Sequence, residues 1–376
     1  MHRRLAAALL AALLTLSLAA CGQDQGAENP TPTPETVRIG LLLQGDGENA
    51  YDQNHIQGLQ DACRTLGIDY DTQVLVRTGV PEDETCRDTI RELVDAGCQI
   101  LFSASQGHEL YLTEAAGDHP DLQVCQAVGT LGAQDDLDNT HDAYARLYEV
   151  SYLAGIAAGE KTATNLLGYV AARPTAQVIS AYTAYYLGAK HANPDVTMVV
   201  RYANTWNDAG QEAALAQGLI DLGCDVLSHY TDTSAVAEAA QANGVAVVGY
   251  NQDMAAVAPD AALVSLRVDW SVYDTYALSC LFQGEEIPQD WCGSYAEGAC
   301  VLSDLGQAAA PGTAQAIQTA AEGLADGSLQ VFAGPLHGVN GEGEVLSLGE
   351  GAFYTENQTS YAPTFRYIVD GITILE

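Results

Sequence analysis

The sequence predicts an α/β protein of two lobes, each a mostly parallel sheet flanked by helices. Three observations predict it. Between residues 37 and 127, short apolar runs alternate with stretches of three- and four-residue periodicity. One long apolar stretch, YARLYEVSYLAGIAAGEKTATNLLGYVAA at 144–172, then interrupts this rhythm. The alternation restarts after it, as it does where a chain leaves one lobe and enters a second. At 376 residues the chain is long enough for about two domains with sizeable cores.

Hydrophobic residues at 48% and charged ones at 17% describe a globular chain. A formal charge of −35 argues against nucleic acid, whose phosphates would be repelled, and against docking on an anionic membrane surface. It bears little on a small neutral ligand and serves to keep an exported protein soluble. Arg3 and Arg4 precede an apolar run at 5–20 that ends in small residues, the pattern of a secretory signal peptide over 1–20. Leu18, Ala19, Ala20 and Cys21 resemble a lipobox, in which Cys21 becomes the lipidated N-terminus; ordinary cleavage, with Cys21 free or paired, is the alternative. Residues 21–36 carry Pro repeats and no apolar period, so they read as a solvated tether.

Taken in order, 37–43 (VRIGLLL) is a buried strand, 44–50 a polar loop, and 54–66 a helix stopped by Gly67. Strands at 72–77, 99–103 and 122–127 alternate with helices at 84–96 and 111–118. The central stretch gives one long helix, a polar break at 160–165 and a short strand at 166–171, with Gly155 and Gly159 leaving room for a close neighbour. Helices at 176–190, 209–222 and 234–243 then alternate with strands at 196–203, 225–229 and 245–249. A strand at 262–268 is read as belonging to the first lobe, and a helix at 270–282 as leading back to the second. The first lobe is thus 37–148 plus 254–272, the second 149–253 plus 273–376, joined by three crossings. The segment 295–376 is rich in Gly and short strands, with a helix near 311–324, and is uninformative about chemistry.

In open α/β sheets, ligands bind beyond the carboxyl ends of the strands. That rule picks out Tyr51 and Asp52 after the first strand and the loop Ser105–Gly107 after the third. It also picks out Trp206, Asn207 and Asp208 before a second-lobe helix, and Asp253 after the last second-lobe strand. His55 either meets a ligand or caps local polar groups, and Asp208 is also a natural helix cap. No GxSxG, Walker or GxGxxG motif is found, so no cofactor is implied, and no Cys or His spacing suggests zinc. Eight cysteines remain besides Cys21, and Cys292 with Cys300 is the pair expected to form a disulfide.

The runs YEVSYLAGIAAGEKT, LGYVAARP, LGAKHANPDV and NTW, in this order, resemble the basic membrane protein family of lipoproteins. Its members are substrate-binding components of ABC transporters associated with purines and nucleosides, and the resemblance spans about 37–301. It implies a type I periplasmic-binding-protein fold acting as a monomer. It further implies lipid anchoring at the extracytoplasmic face of the cell membrane, a purine base or nucleoside as ligand, an ABC permease as partner, and no chemical step. It gives Tyr51 the family's aromatic place, puts Asp52 where an Asn is usual, matches Ser105 and Gly107 to a ligand-bordering loop, and gives Asp253 an acidic position. Where the family carries a sugar-contacting lysine, this chain has VSLRVDW, leaving Arg267 as substitute or no ribose contact. Tyr51 and Trp206 would stack on the base, with Asp52, Asn207 and Asp253 as polar contacts. Two alternatives keep the fold: a sugar or other polar metabolite as ligand, or a sensory lipoprotein without transport. A nucleoside hydrolase would need an aspartate cluster at the first strand, where the chain offers Asp46 with Glu48.

Overall fold

The computed structural model describes residues 31–130, 136–356 and 363–375. The signal segment, Cys21 and the first part of the tether lie outside the described residues. The tether stops short of residue 36: Val37 N donates to Thr33 O at 2.9 Å, and Gln73 Nε2 donates to the carbonyls of Pro34 and Val37 at 2.8 and 2.9 Å. Residues 33–36 are therefore a turn pinned to the fold.

The first lobe runs β1 (Ile39–Leu42), α1 (Ala50–Leu66), a single turn α2 (Tyr70–Gln73), β2 (Val74–Arg77), α3 (Cys86–Asp95), β3 (Ile100–Ser103), α4 (Glu109–Asp118), β4 (Gln123–Ala127) and β5 (Thr140–Ala145). All pair in parallel in the order β2-β1-β3-β4-β5. The winding reverses between β1 and β3, which leaves a crevice at their carboxyl ends. Asn49 caps α1 by accepting from Asp52 N at 2.9 Å, and Gly67, at φ 77°, ends it. β5 was not legible in the sequence: THDAYA is polar at three of six positions, yet every residue is buried, with His141 held by Gln123 at 2.8 Å.

The second lobe opens with α5 (Leu147–Lys161) and β6 (Leu166–Ala171), close to the helix, break and strand read from the sequence. It continues through α6 (Ala176–Ala192), β7 (Thr197–Tyr202), α7 (Ala209–Asp221), β8 (Val226–Tyr230), α8 (Ala235–Asn243), β9 (Ala246–Tyr250) and β10 (Ala262–Val268). α5 and α6 pack backbone against backbone. A Cβ on Gly155 would collide with the Tyr185 carbonyl, and one on Gly188 with the Tyr152 carbonyl. The break after α5 is held by Asp225, which accepts from Thr162 Oγ1 at 2.6 Å, Ala163 N at 2.7 Å, and Thr164 N and Oγ1 at 3.1 and 2.9 Å. Burial pushes the Asp225 carboxyl up, but these hydrogen bonds outweigh it and the net shift is downward. Asp225→Ala is expected to cost about 1–3 kcal/mol, read from urea denaturation at neutral pH. Because the folded state holds the lower pKa, this stabilisation is present above the unfolded value of about 3.9 and is lost as pH falls through the folded one. Equal urea midpoints for wild type and variant at neutral pH would refute it.

The chain then returns to the first lobe. α9 (Trp270–Gln283) joins α1 in one core with Leu59, Ala62, Trp270 and Tyr273, and β11 (Asp290–Gly293) pairs in parallel with β5. It leaves again through β12 (Cys300–Leu302), antiparallel to β10, then α10 (Thr313–Asp326) and an antiparallel sheet of β13 (Leu336–Val339), β14 (Val345–Leu348) and β15 (Ile368–Val369). β16 (Ile372–Leu375) pairs with β7. The second sheet thus reads β16-β7-β6-β8-β9-β10-β12, with its own reversal between β6 and β8.

Two boundaries differ from the sequence reading. Residues 262–268 belong to the second lobe, since β10 is parallel to β9, and residues 273–293 to the first, since α9 shares the α1 core and β11 is parallel to β5. Parallel neighbours are normally joined by a helix; here a 3₁₀ turn at Met254–Ala256 makes the connection, and the missing helix imitates a lobe boundary. The crossings lie at 145–147, 268–270 and 293–300, and hydrogen bonds tie them together: Arg146 N to Gly293 O and Asp269 N to Ala299 O, both at 2.8 Å. The expected Cys292–Cys300 disulfide is also corrected. All eight cysteines of the described residues are free thiols. Cys292 and Cys300 stand on strands of different sheets and both turn to Arg146, Cys300 Sγ donating to its carbonyl at 3.5 Å and Cys292 bonding to its side chain.

Candidate functional site

The carboxyl ends of both sheets face one another across the crossings, with a narrow cavity of about 10 Å³ between them. The first lobe supplies Tyr51, the second residue of α1. Its hydroxyl donates to Ala104 O at 2.7 Å, which turns the ring along the end of the sheet. The ring meets His55 edge-on at 4.8 Å, and His55 stacks on Trp270, the first residue of α9, at 4.5 Å. Burial pushes His55 down to about 3, so its imidazole is neutral at physiological pH. Tyr144 from β5 and Val128 just beyond β4 complete this wall. Val128 has φ 53°, a left-handed conformation that a β-branched residue adopts only under strain, and strain of this kind collects at binding sites.

The second lobe supplies Tyr230 and Tyr250, the last residues of β8 and β9, stacked at 4.2 Å and 30°. Gln177 Nε2 donates to Tyr230 Oη at 2.8 Å, fixing the ring's tilt. Asn251 follows Tyr250 with φ 64° and donates from Nδ2 to Asp232 Oδ1 at 3.3 Å. Asp232 is crowded by protein and keeps some solvent access. Burial, then repulsion from Glu212 and Asp52, push its carboxyl up to about 7 against the Asn251 hydrogen bond. Among the described residues, Tyr144 Oη, Trp270 Nε1 and His55 Nε2 are buried without a hydrogen-bond partner. Of these, Tyr144 and Trp270 line the cavity, where a bound molecule's polar atoms could satisfy them.

Of the residues singled out in the sequence, Tyr51 lines the cavity and His55 stands directly behind it. Asp52 faces its own loop, accepting from Gly47 N at 3.0 Å and Asn49 Nδ2 at 2.7 Å. Trp206 is half-buried, 6.3 Å from the Tyr230 ring, and its carbonyl accepts from Asp232 N. Asn207 is exposed, as is Asp208, which caps α7 by accepting from Gln211 N at 3.0 Å. Ser105 caps the turn holding Gly107, and Glu82 bonds to the Ser105 hydroxyl and covers Gly107. Asp253 is exposed and caps the 3₁₀ turn, accepting from Ala255 N at 3.0 Å. Arg267 lies at the second crossing, bonded to Asn54 Oδ1 and Val268 O at 3.5 and 3.3 Å and 3.6 Å from Asp269.

Sequence reading missed Tyr144, Tyr230, Asp232 and Trp270 as site residues. Applying the strand-end rule to β8 would have found Tyr230 and Asp232, because β8 borders the winding reversal. Asp46 accepts from Glu48 N at 2.9 Å, and among the described residues no group of His, Cys, Asp or Glu could hold a metal ion.

The family model described as ABC transporter substrate-binding protein PnrA-like, or Bmp, matches residues 37–291. The chain is 28% identical over 319 residues to a purine-binding protein of Brucella abortus, covering 85% of this chain and 89% of that protein. It is 29% identical over 265 residues to a Haloferax volcanii protein named as an ABC transporter glucose-binding protein, covering 70% and 66%. Two solved structures share the fold. A transcriptional activator of the comK gene from Bacillus halodurans has a TM-score of 0.68 at 21% identity, over 78% of this chain and 99% of that one. An ABC transporter solute-binding protein from Conexibacter woesei has a TM-score of 0.64 at 20% identity, over 78% and 98%. The two-lobed periplasmic-binding-protein architecture implied by the sequence resemblance is the one observed. With most of both lobes matched by the family model, the chain belongs to the PnrA-like family of ABC transporter substrate-binding proteins.

Proposed function

We propose that this protein is an extracytoplasmic lipoprotein, tethered through Cys21, that closes its lobes on a purine base or nucleoside and delivers it to an ABC permease. The observation that carries this reading is the narrow cleft between the lobes, lined by Tyr51 and Trp270 from one and Tyr230 and Tyr250 from the other, which opening of the lobes would make accessible to a ligand. A flat heterocycle gains from such faces, about 0.5–1.5 kcal/mol per ring pair beyond the area it buries. The Tyr144 hydroxyl and the Trp270 indole N–H, both without partners among the described residues, would donate to ring nitrogens or a carbonyl of the base. The relative named as purine-binding supports the same ligand class. Tyr51 keeps its contact role, while Trp206 acts one ring further out, by seating Tyr230. Both lobes meet the ligand only when closed, so the ligand shifts that population by its differential affinity.

A sugar is the second reading, favoured by the relative named as glucose-binding and by the amides of Gln177 and Asn251 at the cavity. Thermal shift on the protein from Gly22 onward separates them. A ligand at about a hundredfold its Kd stabilises the folded state by about 2.7 kcal/mol. Adenine, hypoxanthine or inosine is expected to raise the midpoint, and glucose to leave it unchanged. A shift with glucose alone would replace the purine assignment with the sugar one, and no shift with any of them would favour a sensory lipoprotein.

A further inference from the structure

Asp232 follows β8, at the winding reversal of the second sheet and between the cavity-lining residues Tyr230 and Asn251. Its backbone N–H is committed to Trp206 O at 2.9 Å, and Oδ1 accepts from Asn251 Nδ2 at 3.3 Å. Among the described residues Oδ2 has no hydrogen bond. The flanking hydroxyls are taken: Thr231 and Thr233 both donate to Glu212 Oε2, at 2.8 and 2.5 Å, which holds the loop. Across the cleft stands Asp52, engaged by its own loop. The charged groups acting on Asp232 are therefore Glu212 from α7 and Asp52 from α1, both acidic. The other neighbours are neutral: Asn251 after β9, and the hydroxyls of Tyr230, Tyr250 and Tyr51, which burial keeps protonated. The Asp232 carboxylate, bonded to the cavity-lining Asn251, supplies an acceptor on the second-lobe side, while the orphaned donors of Tyr144 and Trp270 belong to the first-lobe wall.

We infer that Asp232 selects the ligand: as a carboxylate it accepts a hydrogen bond from a ring N–H or amino group of a neutral heterocycle, and it turns away anions such as nucleoside phosphates. The inference rests on the purine reading and adds to it the group that reads the base's donor edge. Asp232 thereby takes the role that the sequence suggested for Asp253. It also couples binding to a proton. The empty protein shares the Asp232 carboxyl between its two forms near pH 7. A ligand N–H needs the ionised form, so binding displaces the proton. Affinity is then greatest above pH 7 and falls about tenfold for each pH unit below it.

Titration calorimetry with hypoxanthine over about two pH units either side of 7 tests this. The wild type is expected to lose affinity on the acid side and, near pH 7, to release about half a proton on binding, read from the difference between phosphate and Tris buffers. Asp232→Asn is expected to bind more weakly above pH 7, to release no proton and to lose the pH dependence. Asp52→Asn, whose amide oxygen can keep the Gly47 contact, removes the repulsion across the cleft and is expected to move the midpoint to lower pH. It keeps the proposal testable if Asp232→Asn does not fold. Inosine monophosphate is expected not to compete with hypoxanthine. Hypoxanthine binding that is independent of pH in the wild type overturns the role of Asp232 and leaves the purine reading standing. Failure of hypoxanthine and adenine to bind at any pH overturns both.

Discussion

Gly188→Val is expected to unfold the protein under conditions where the wild type is fully native. The site lies on the contact between α5 and α6, where a Cβ at 188 would enter the Tyr152 carbonyl while Gly155 and Gly159 press on the carbonyls of Tyr185 and Ala189. Every obstructing atom is backbone, so no change of rotamer relieves the clash and the helices must separate. Overpacking usually costs about 1–3 kcal/mol, and a rigid contact on both faces puts this case at or above the upper end. That is a large part of the roughly 5–15 kcal/mol that holds a typical domain together. Gly210→Ala is the control: its Cβ would meet nothing nearer than Asp208 Oδ1 at 3.5 Å, and alanine gains about 1 kcal/mol of helix propensity. Urea midpoints should fall steeply for the first variant and stay level or rise for the second. A native-like midpoint for Gly188→Val would mean that the helices are not in backbone contact.

Tyr230→Ala is expected to weaken ligand binding by about one and a half to three powers of ten, whichever ligand is established, because sugars and bases both use aromatic faces. Removing the ring deletes one wall, leaves Tyr250 without its partner at 4.2 Å and frees the Gln177 amide. Loss of a well-packed interfacial tyrosine costs about 2–4 kcal/mol, and about 1.4 kcal/mol is a tenfold change in Kd. Tyr230→Phe keeps the ring and loses the hydroxyl's hydrogen bonds with Gln177 and Tyr250, about 0.5–1.5 kcal/mol each, so a change on the order of tenfold, smaller than that of the alanine variant, is expected. Trp206→Ala should fall between the two, since Trp206 supports Tyr230 rather than lining the cavity. Calorimetry with the best ligand of the panel, on variants matched by circular dichroism, ranks the three. A Trp206 effect larger than that of Tyr230 would place the ligand outside the cavity.

The fold was legible because its signal is repetitive. Alternating strand and helix patterns and the small-residue face of 147–161 each reflect burial, which acts locally on residue type. β5 was not legible, since THDAYA is buried by partners far along the chain that sequence cannot supply. Nor was the place of β10, where a short turn stands in for a helix. At the site, Tyr51 could be found because it follows the first strand. Asp253 and Asp208 satisfy the same positional rule, but local capping consumes their carboxylates. Asp232 shares its place beyond a strand end with several other residues; what singles it out is the approach of Glu212 and Asp52, one of them from the other lobe.

The pairing of β11 with β5 sets an order of events. As the chain is made from its amino end, the first sheet is nearly complete at Ala145, yet the outer edge of β5 has no neighbour until residues 290–293 emerge. Residues 147–268, with strands β6 to β10 of the second sheet, are synthesised in between. Until then a strand destined for complete burial presents open backbone groups, the kind of edge that other chains can join. α9, which covers α1, arrives in the same late segment. The first lobe therefore stays incomplete until β6 to β10 of the second have been made, the second sheet in turn waits for β12 and β16, and the long sequence separation of these contacts makes folding slow.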